Sequence, residues 1–145
     1  CRATYDRRLV PGETPESVLA ELRGLPGLDG VRWSAKIVTG EEPTGTGRSL
    51  PVTKFFPAWV VDEHHPLVQM ALRGLRAAGF DPALGAYGYC TNAAYSAGIA
   101  GVPTIGFGPG KETDAHIVDE YIALDELVRA AEGYAAIIAG VLYRE

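Results

Sequence analysis

An apolar run, Val102 to Phe107, stops at Gly108-Pro109-Gly110, and the polar segment behind it carries His116 and, four residues later, Glu120. A short apolar run closed by glycine and proline reads as a buried strand of a parallel sheet, with the turn residues marking its end. In an open α/β sheet, ligands bind just outside the carboxyl ends of the strands. The stretch Gly106–Glu120 therefore constrains the fold most strongly, and it is also the first candidate site.

The totals set wide limits. At 145 residues, 47% hydrophobic and 21% charged, the chain has an ordinary globular composition and can bury a core. A net charge of −5, with no basic cluster interleaved with aromatics, argues against nucleic acid and against anionic membranes. Cys1 and Cys90 are the two cysteines, which is no disulfide framework and points to a reducing, cytoplasmic setting. The most apolar stretch, Ala93 to Gly108, is broken by Ser96, Pro103 and glycines, so no transmembrane span is expected. The chain opens on Cys1, and Ala3-Thr4-Tyr5 already reads as strand. A domain seldom begins inside a strand, so the expectation is part of a longer protein.

Taken in order, Ala3 to Leu9 reads as a strand and Pro11-Gly12 as a turn. Thr14-Pro15-Glu16 starts a helix, with Thr as N-cap, Pro in the first turn and an acid near the positive end. Val18, Leu19 and Leu22 give that helix its apolar face, and Gly24 and Pro26 end it. Val31 to Val38 alternates as a half-buried antiparallel strand. Gly40 to Ser49 reads as a loop, and Val52 to Val61 as a strand with Pro57 at an edge or bulge. Residues 1–61 thus read β-α-β-β. From Asp62 the pattern changes to strand and helix by turns. Pro66 opens a helix striped with Leu67, Val68, Ala71, Leu72 and Leu75, and Gly79 caps it. Leu84 to Tyr87 is a short strand, Asn92 to Ala100 a small-residue helix, and Leu124 to Tyr143 a long helix with Leu127, Ala131, Tyr134, Ile138 and Val141 inward. Such alternation predicts an α/β chain with a parallel sheet and covering helices over 62–145.

Neutral imidazole is the commonest histidine metal ligand, so His116 is the first candidate for chemistry. Zinc needs three or four protein ligands, and a two-metal site needs more. His64 and His65 sit at a helix start and read as solvated caps. No HxD or HExxH pattern occurs. Glu120 either orients His116 from behind or leads into the last helix. Gly108 and Gly110 either form a plain turn or let the backbone approach a ligand closely. Thr91 or Asn92 makes a good N-cap for the helix that follows. Arg7 and Arg8 alternate faces, so one of them at most points at a site.

The wording GFGPG…AH…DE, over Gly106 to Glu120, resembles the last metal-binding stretch of the co-catalytic zinc hydrolases that include acetylornithine deacetylase, succinyl-diaminopimelate desuccinylase and carboxypeptidase G. Phe55-Phe56-Pro57-Ala58-Trp59, Thr91-Asn92 and Gly106–Glu112 look most like the subgroup of hydrolases linked to selenium metabolism. The resemblance covers nearly the whole chain. It implies His116 as a ligand to zinc, or to another divalent metal such as manganese or cobalt, with Glu120 behind it. Asp6-Arg7-Arg8-Leu9 is similar to a lid strand whose arginine, here Arg8, reaches the substrate carboxylate. A guanidinium fork suits that role because it pairs with a carboxylate bidentately. Thr91 and Asn92 fall at a helix start that faces the substrate, although Asn92 stands where the family usually has an acid. Gly108 and Gly110 would hold the same carboxylate.

The resemblance implies a partial ferredoxin-like, dimerising lid over 1–61, then the closing part of a parallel-sheet α/β catalytic domain over 62–145. The upstream metal ligands and the general-base glutamate have no counterpart here. The expectation is a C-terminal portion of a zinc-dependent amidohydrolase or peptidase for N-acyl amino acids or dipeptides, without activity by itself. The alternative is a stand-alone dimerisation or interaction module that associates through exposed strand edges.

Overall fold

The computed structural model describes residues 1–143. The chain divides into two compact units: Cys1–Trp59 with Cys90–Gly101, and Val60–Tyr89 with the segment from Val102 onward. It is an α/β structure with one small antiparallel sheet and four α-helices among the described residues.

In the first unit, helix α1 (Pro15–Arg23) begins where its local signals place it. The Thr14 hydroxyl accepts the Ser17 N–H at 3.2 Å, and the Ser17 hydroxyl accepts the Thr14 N–H at 2.9 Å. Each side chain thus satisfies a backbone donor that a helix start leaves open. Val18 is buried, and Leu19 and Leu22 are half-buried. The extended segment before α1 is tied to it by Arg7, which pairs with Glu13 and, at 2.6 Å, with Glu21. These contacts hold both carboxyls below their ordinary range. For Glu13 the Val10 N–H contributes most, followed by Arg7; for Glu21 the cause is Arg7.

The hairpin differs from the sequence expectation. Strand β1 (Thr39–Pro43) pairs antiparallel with β2 (Ser49–Thr53), Gly40 standing opposite Val52. Half of the expected loop, Gly40–Pro43 and Ser49, is therefore ladder. The reason is local closure. The Thr44 N–H donates to the Arg48 carbonyl at 2.7 Å, and the Gly47 N–H returns to the Thr44 carbonyl at 3.0 Å. A turn this tight pairs its immediate flanks first. The alternating segment 31–38 stays extended but unladdered apart from one bond, Lys54 N–H to the Val38 carbonyl at 2.8 Å. Residues 3–9 form no strand either. The β-α-β-β pattern, and with it the ferredoxin-like arrangement, is not formed among the described residues. Helix α3 (Ala93–Ser96) is a single turn, shorter than the helix expected over 92–100.

In the second unit, α2 (Pro66–Ala77) starts at Pro66 with the His65 ring as its cap: Nδ1 accepts the Leu67 N–H at 3.1 Å. Val68, Ala71, Leu72 and Leu75 are buried on one face, the i, i+3, i+4, i+7 stripe of a core-facing helix. The partner is α4 (Leu124–Leu142). Its packed face is not the expected one. Ala130 and Gly133 are buried and Ala136 and Gly140 half-buried, whereas Leu127, Tyr134 and Ile138 are 49%, 47% and 57% exposed. Small residues win because they let the axes close up. A Cβ on Gly74 would stand 2.2 Å from the Ala136 carbonyl oxygen, and one on Gly140 would stand 2.6 Å from the Met70 carbonyl oxygen.

The segments Val102–Phe107 and Leu84–Tyr87 are neither helix nor paired strand among the described residues. A parallel strand needs a neighbour to take its backbone bonds. Lacking one, Val102–Phe107 is held by side chains instead. No described helix is long and apolar enough to cross a membrane.

Candidate functional site

The end of the Val102–Phe107 segment is held on α4 by an aromatic cluster. The Phe107 ring stands edge-on to Phe80, centroids 6.3 Å apart, and edge-on to Tyr134 at 5.4 Å. The Tyr134 hydroxyl donates to the Phe107 carbonyl at 2.7 Å, supplying one partner that the missing ladder does not. The Arg129 guanidinium lies 3.7 Å over the Phe80 ring and donates to the Gly79 carbonyl at 2.9 Å. The position at which the chain turns at Gly108 is thus set by α4. An open depression of about 420 Å³ lies beside the turn, lined by Phe80, Phe107, Gly108–Gly110, Arg129 and the acidic Asp125 and Glu126.

Beyond Gly110 (φ +81°) a 3₁₀ turn, Glu112–Asp114, leads into the histidine loop. Glu112 accepts the Gly88 N–H at 2.8 Å. Next to that contact Tyr87 and Tyr89 stack at 4.9 Å. Burial pushes the Tyr87 phenol up from its ordinary value, with smaller contributions from Tyr89, Tyr134 and Glu112. His116 is exposed and adopts φ +62°, and Asp119 adopts φ +61°. Left-handed backbone is uncommon outside glycine, though histidine and aspartate tolerate it better than most residues. The Glu120 carboxylate accepts the His116 backbone N–H at 2.8 Å. Glu120 therefore does meet His116, through the main chain. Neither ring nitrogen has a hydrogen-bond partner among the described residues.

The remaining sequence candidates fall elsewhere. Arg8, Thr91 and Asn92 belong to the first unit, and Gly108, Gly110, His116 and Glu120 to the second. Of the two adjacent arginines, Arg7 is occupied with α1, while the Arg8 side chain is 71% exposed and among the described residues reaches only Asp6, at 3.7 Å. Thr91 is the residue that caps α3, its hydroxyl accepting the Ala93 N–H at 3.1 Å. Asn92 has helical angles and makes no cap bond. Sequence reasoning missed Glu112 and the polar role of Tyr134. The Glu112–Gly88 bond spans 24 residues and leaves no local signal. Tyr134 was legible as apolar, but the residue is half exposed and it is the hydroxyl that fixes the Phe107 carbonyl.

Among the described residues no three histidine, cysteine, aspartate or glutamate side chains gather closely enough to hold a metal ion. His116 can supply one donor. The described residues do not by themselves fit a metal centre, which takes three or four ligands.

The histidine loop and the turn before it lie within residues 19–140, which match peptidase family M20/M25/M40. This chain belongs to that family. The match agrees with the resemblance carried by Gly106–Glu120. Similarity to individual proteins points the same way: the chain is 36% identical over 138 residues to the uncharacterized protein YgeY of Escherichia coli K12 and to its counterpart in E. coli O157:H7. The alignment covers 94% of this chain and 34% of YgeY, so the chain spans about a third of the length of the curated relatives it matches. No solved structure matches it.

Proposed function

We propose that this M20-family chain is the C-terminal portion of a metal-dependent amidohydrolase or peptidase that acts on N-acyl amino acids or dipeptides. In this reading residues 1–61 are the second half of a lid and 62–145 the closing part of the catalytic domain. His116 contributes one ligand to zinc, manganese or cobalt, and the other ligands and the general base come from outside the chain. Arg8, Thr91, Asn92 and the Gly108–Gly110 turn are the candidates for binding the substrate and its carboxylate. The protein works in the cytoplasm.

The observation that carries the reading is the family match over 19–140 combined with a single histidine donor. Two further observations support it. The His116 residue is exposed and its ring has no hydrogen-bond partner among the described residues, which leaves it open to a ligand role. Arg8 is free of α1, while its neighbour Arg7 is not.

The purified chain, assayed on N-acetyl amino acids and dipeptides with added zinc or manganese, is expected to show no turnover. Metal-dependent hydrolysis abolished by His116→Ala would overturn the idea that the chain is incomplete. In a zinc titration, weak binding that disappears in His116→Ala is the expected result; binding unaffected by that substitution would remove His116 from its proposed role.

A second reading, an interaction module, is favoured by a separate observation. Leu124, Val128, Ile138 and Leu142 of α4 are 78%, 61%, 57% and 69% exposed, more apolar surface on one helix than a solvated face requires.

A further inference from the structure

We propose that Glu120 is a positioning residue that acts on the backbone of His116, and not on its ring, locking a left-handed loop that presents the imidazole with both nitrogens free. The inference rests on the reading of His116 as a ligand and specifies how that ligand is held.

Three observations combine. The carboxylate of Glu120 lies 2.8 Å from the His116 backbone nitrogen, and the N–H points at it. The residue at each end of the enclosed segment has positive φ: His116 at +62° and Asp119 at +61°. The ring itself has no partner among the described residues. Left-handed backbone is uncommon outside glycine even for histidine and aspartate, so two such residues in one loop call for something that fixes the path. The hydrogen bond from the His116 N–H to an ionised acceptor supplies such a constraint, because charge-assisted bonds are the stronger kind. The more familiar arrangement, a carboxylate on the far ring nitrogen, would fix the tautomer and raise the basicity of the ring. Here that carboxylate is engaged with the main chain. The loop therefore controls where the imidazole sits and leaves its tautomer unfixed until a metal or another group selects one.

The chemistry separates the two arrangements. A glutamine at 120 still offers an oxygen to a backbone N–H, so Glu120→Gln should keep the lock, whereas Glu120→Ala removes it. Amide hydrogen exchange at His116 is measured on the metal-free 145-residue chain together with the ¹⁵N shifts of its ring. Glu120→Ala is expected to speed exchange at His116 roughly tenfold, the order of one lost hydrogen bond. Glu120→Gln should stay within about threefold of the parent by the same argument. The ring ¹⁵N shifts should be the same in all three proteins. Unchanged His116 exchange in Glu120→Ala overturns the proposal. So does a change of ring tautomer in Glu120→Gln. Exchange of the α2 amides reports folding in each sample; if Glu120→Ala does not fold, Glu120→Gln decides alone, with preserved protection and an unmoved ring supporting the lock and lost protection or a shifted ring rejecting it. Because no metal is present, the lock can fail while zinc binding by His116 stands. Conversely, His116 can fail to bind zinc while the exchange pattern holds.

Discussion

At the scale of single residues, the Gly108-Pro109-Gly110 turn separates two reasons for a glycine. Gly110 sits at φ +81°, where any side chain is strained. Gly108 is not at positive φ, and a Cβ there would meet only the Tyr134 hydroxyl at 3.6 Å, an ordinary contact. Gly110 is thus explained by the backbone, and Gly108 is not. Gly110→Ala should destabilise the chain by about 1–2 kcal/mol, the cost of a left-handed L-residue. Gly108→Ala should change stability by less than about 0.5 kcal/mol, as an open surface substitution does. Thermal denaturation of the two variants checks this. If Gly108→Ala proves the costlier, the turn is not held as described. If it is neutral, the glycine is left free for the role proposed above, close approach of the backbone to a carboxylate. The two glycines look alike in the sequence because φ is a property of the path; only the fold assigns it.

At the scale of elements, what was legible was what is decided locally. Thr14-Pro15 and His65-Pro66 mark the starts of α1 and α2 because cap, proline and first turn lie within a few residues of each other. The ladders were not legible. Val31–Val38 has better strand alternation than Thr39–Pro43, yet the Thr44–Gly47 turn decides which residues pair. Helix α4 failed in a third way, because its large apolar residues suggested the buried face and its small ones form it. The reason is axis separation. With Gly74 and Gly140 in mutual contact, the backbones approach more closely than leucine side chains allow. Gly74→Ala would place a methyl group 2.2 Å from the backbone oxygen of Ala136, and a backbone cannot swing aside as a side chain can. Gains from alanine's better helix propensity, about 1 kcal/mol, are smaller than the overpacking cost, which runs to about 1–3 kcal/mol or more. The expected outcome is a net loss of stability and a displaced α2–α4 pair. A Gly74→Ala chain that melts at or above the parent temperature would show that the crossing is looser than the contacts state.

At the scale of the whole molecule, the segments that form no ladder among the described residues and the exposed face of α4 describe the same condition. Extended backbone without ladder partners and apolar side chains without cover both call for a second surface. In the proposed function that surface is the remainder of a longer M20-family protein. In its absence, a second copy of the chain is the nearest substitute, since identical apolar faces and open hairpin edges can meet each other. The opposing force is charge, because each copy carries −5. At physiological salt the Debye length is about 8 Å, so repulsion between spread surface charges is largely screened, while apolar contact is not weakened. Association should therefore win as concentration rises, and more salt should strengthen it. Sedimentation of the isolated chain at two concentrations is expected to show a mass that increases with concentration and increases again with added sodium chloride. Replacing Leu124 and Val128, one turn apart on the exposed side of α4, by lysine should lower the association without unfolding α2 and α4, because neither side chain is buried. A monomer at every concentration and salt level would mean that these exposed faces need no cover. Association that weakens with salt would assign the attraction to ion pairs such as those at the hairpin, where Lys54 already meets Glu42.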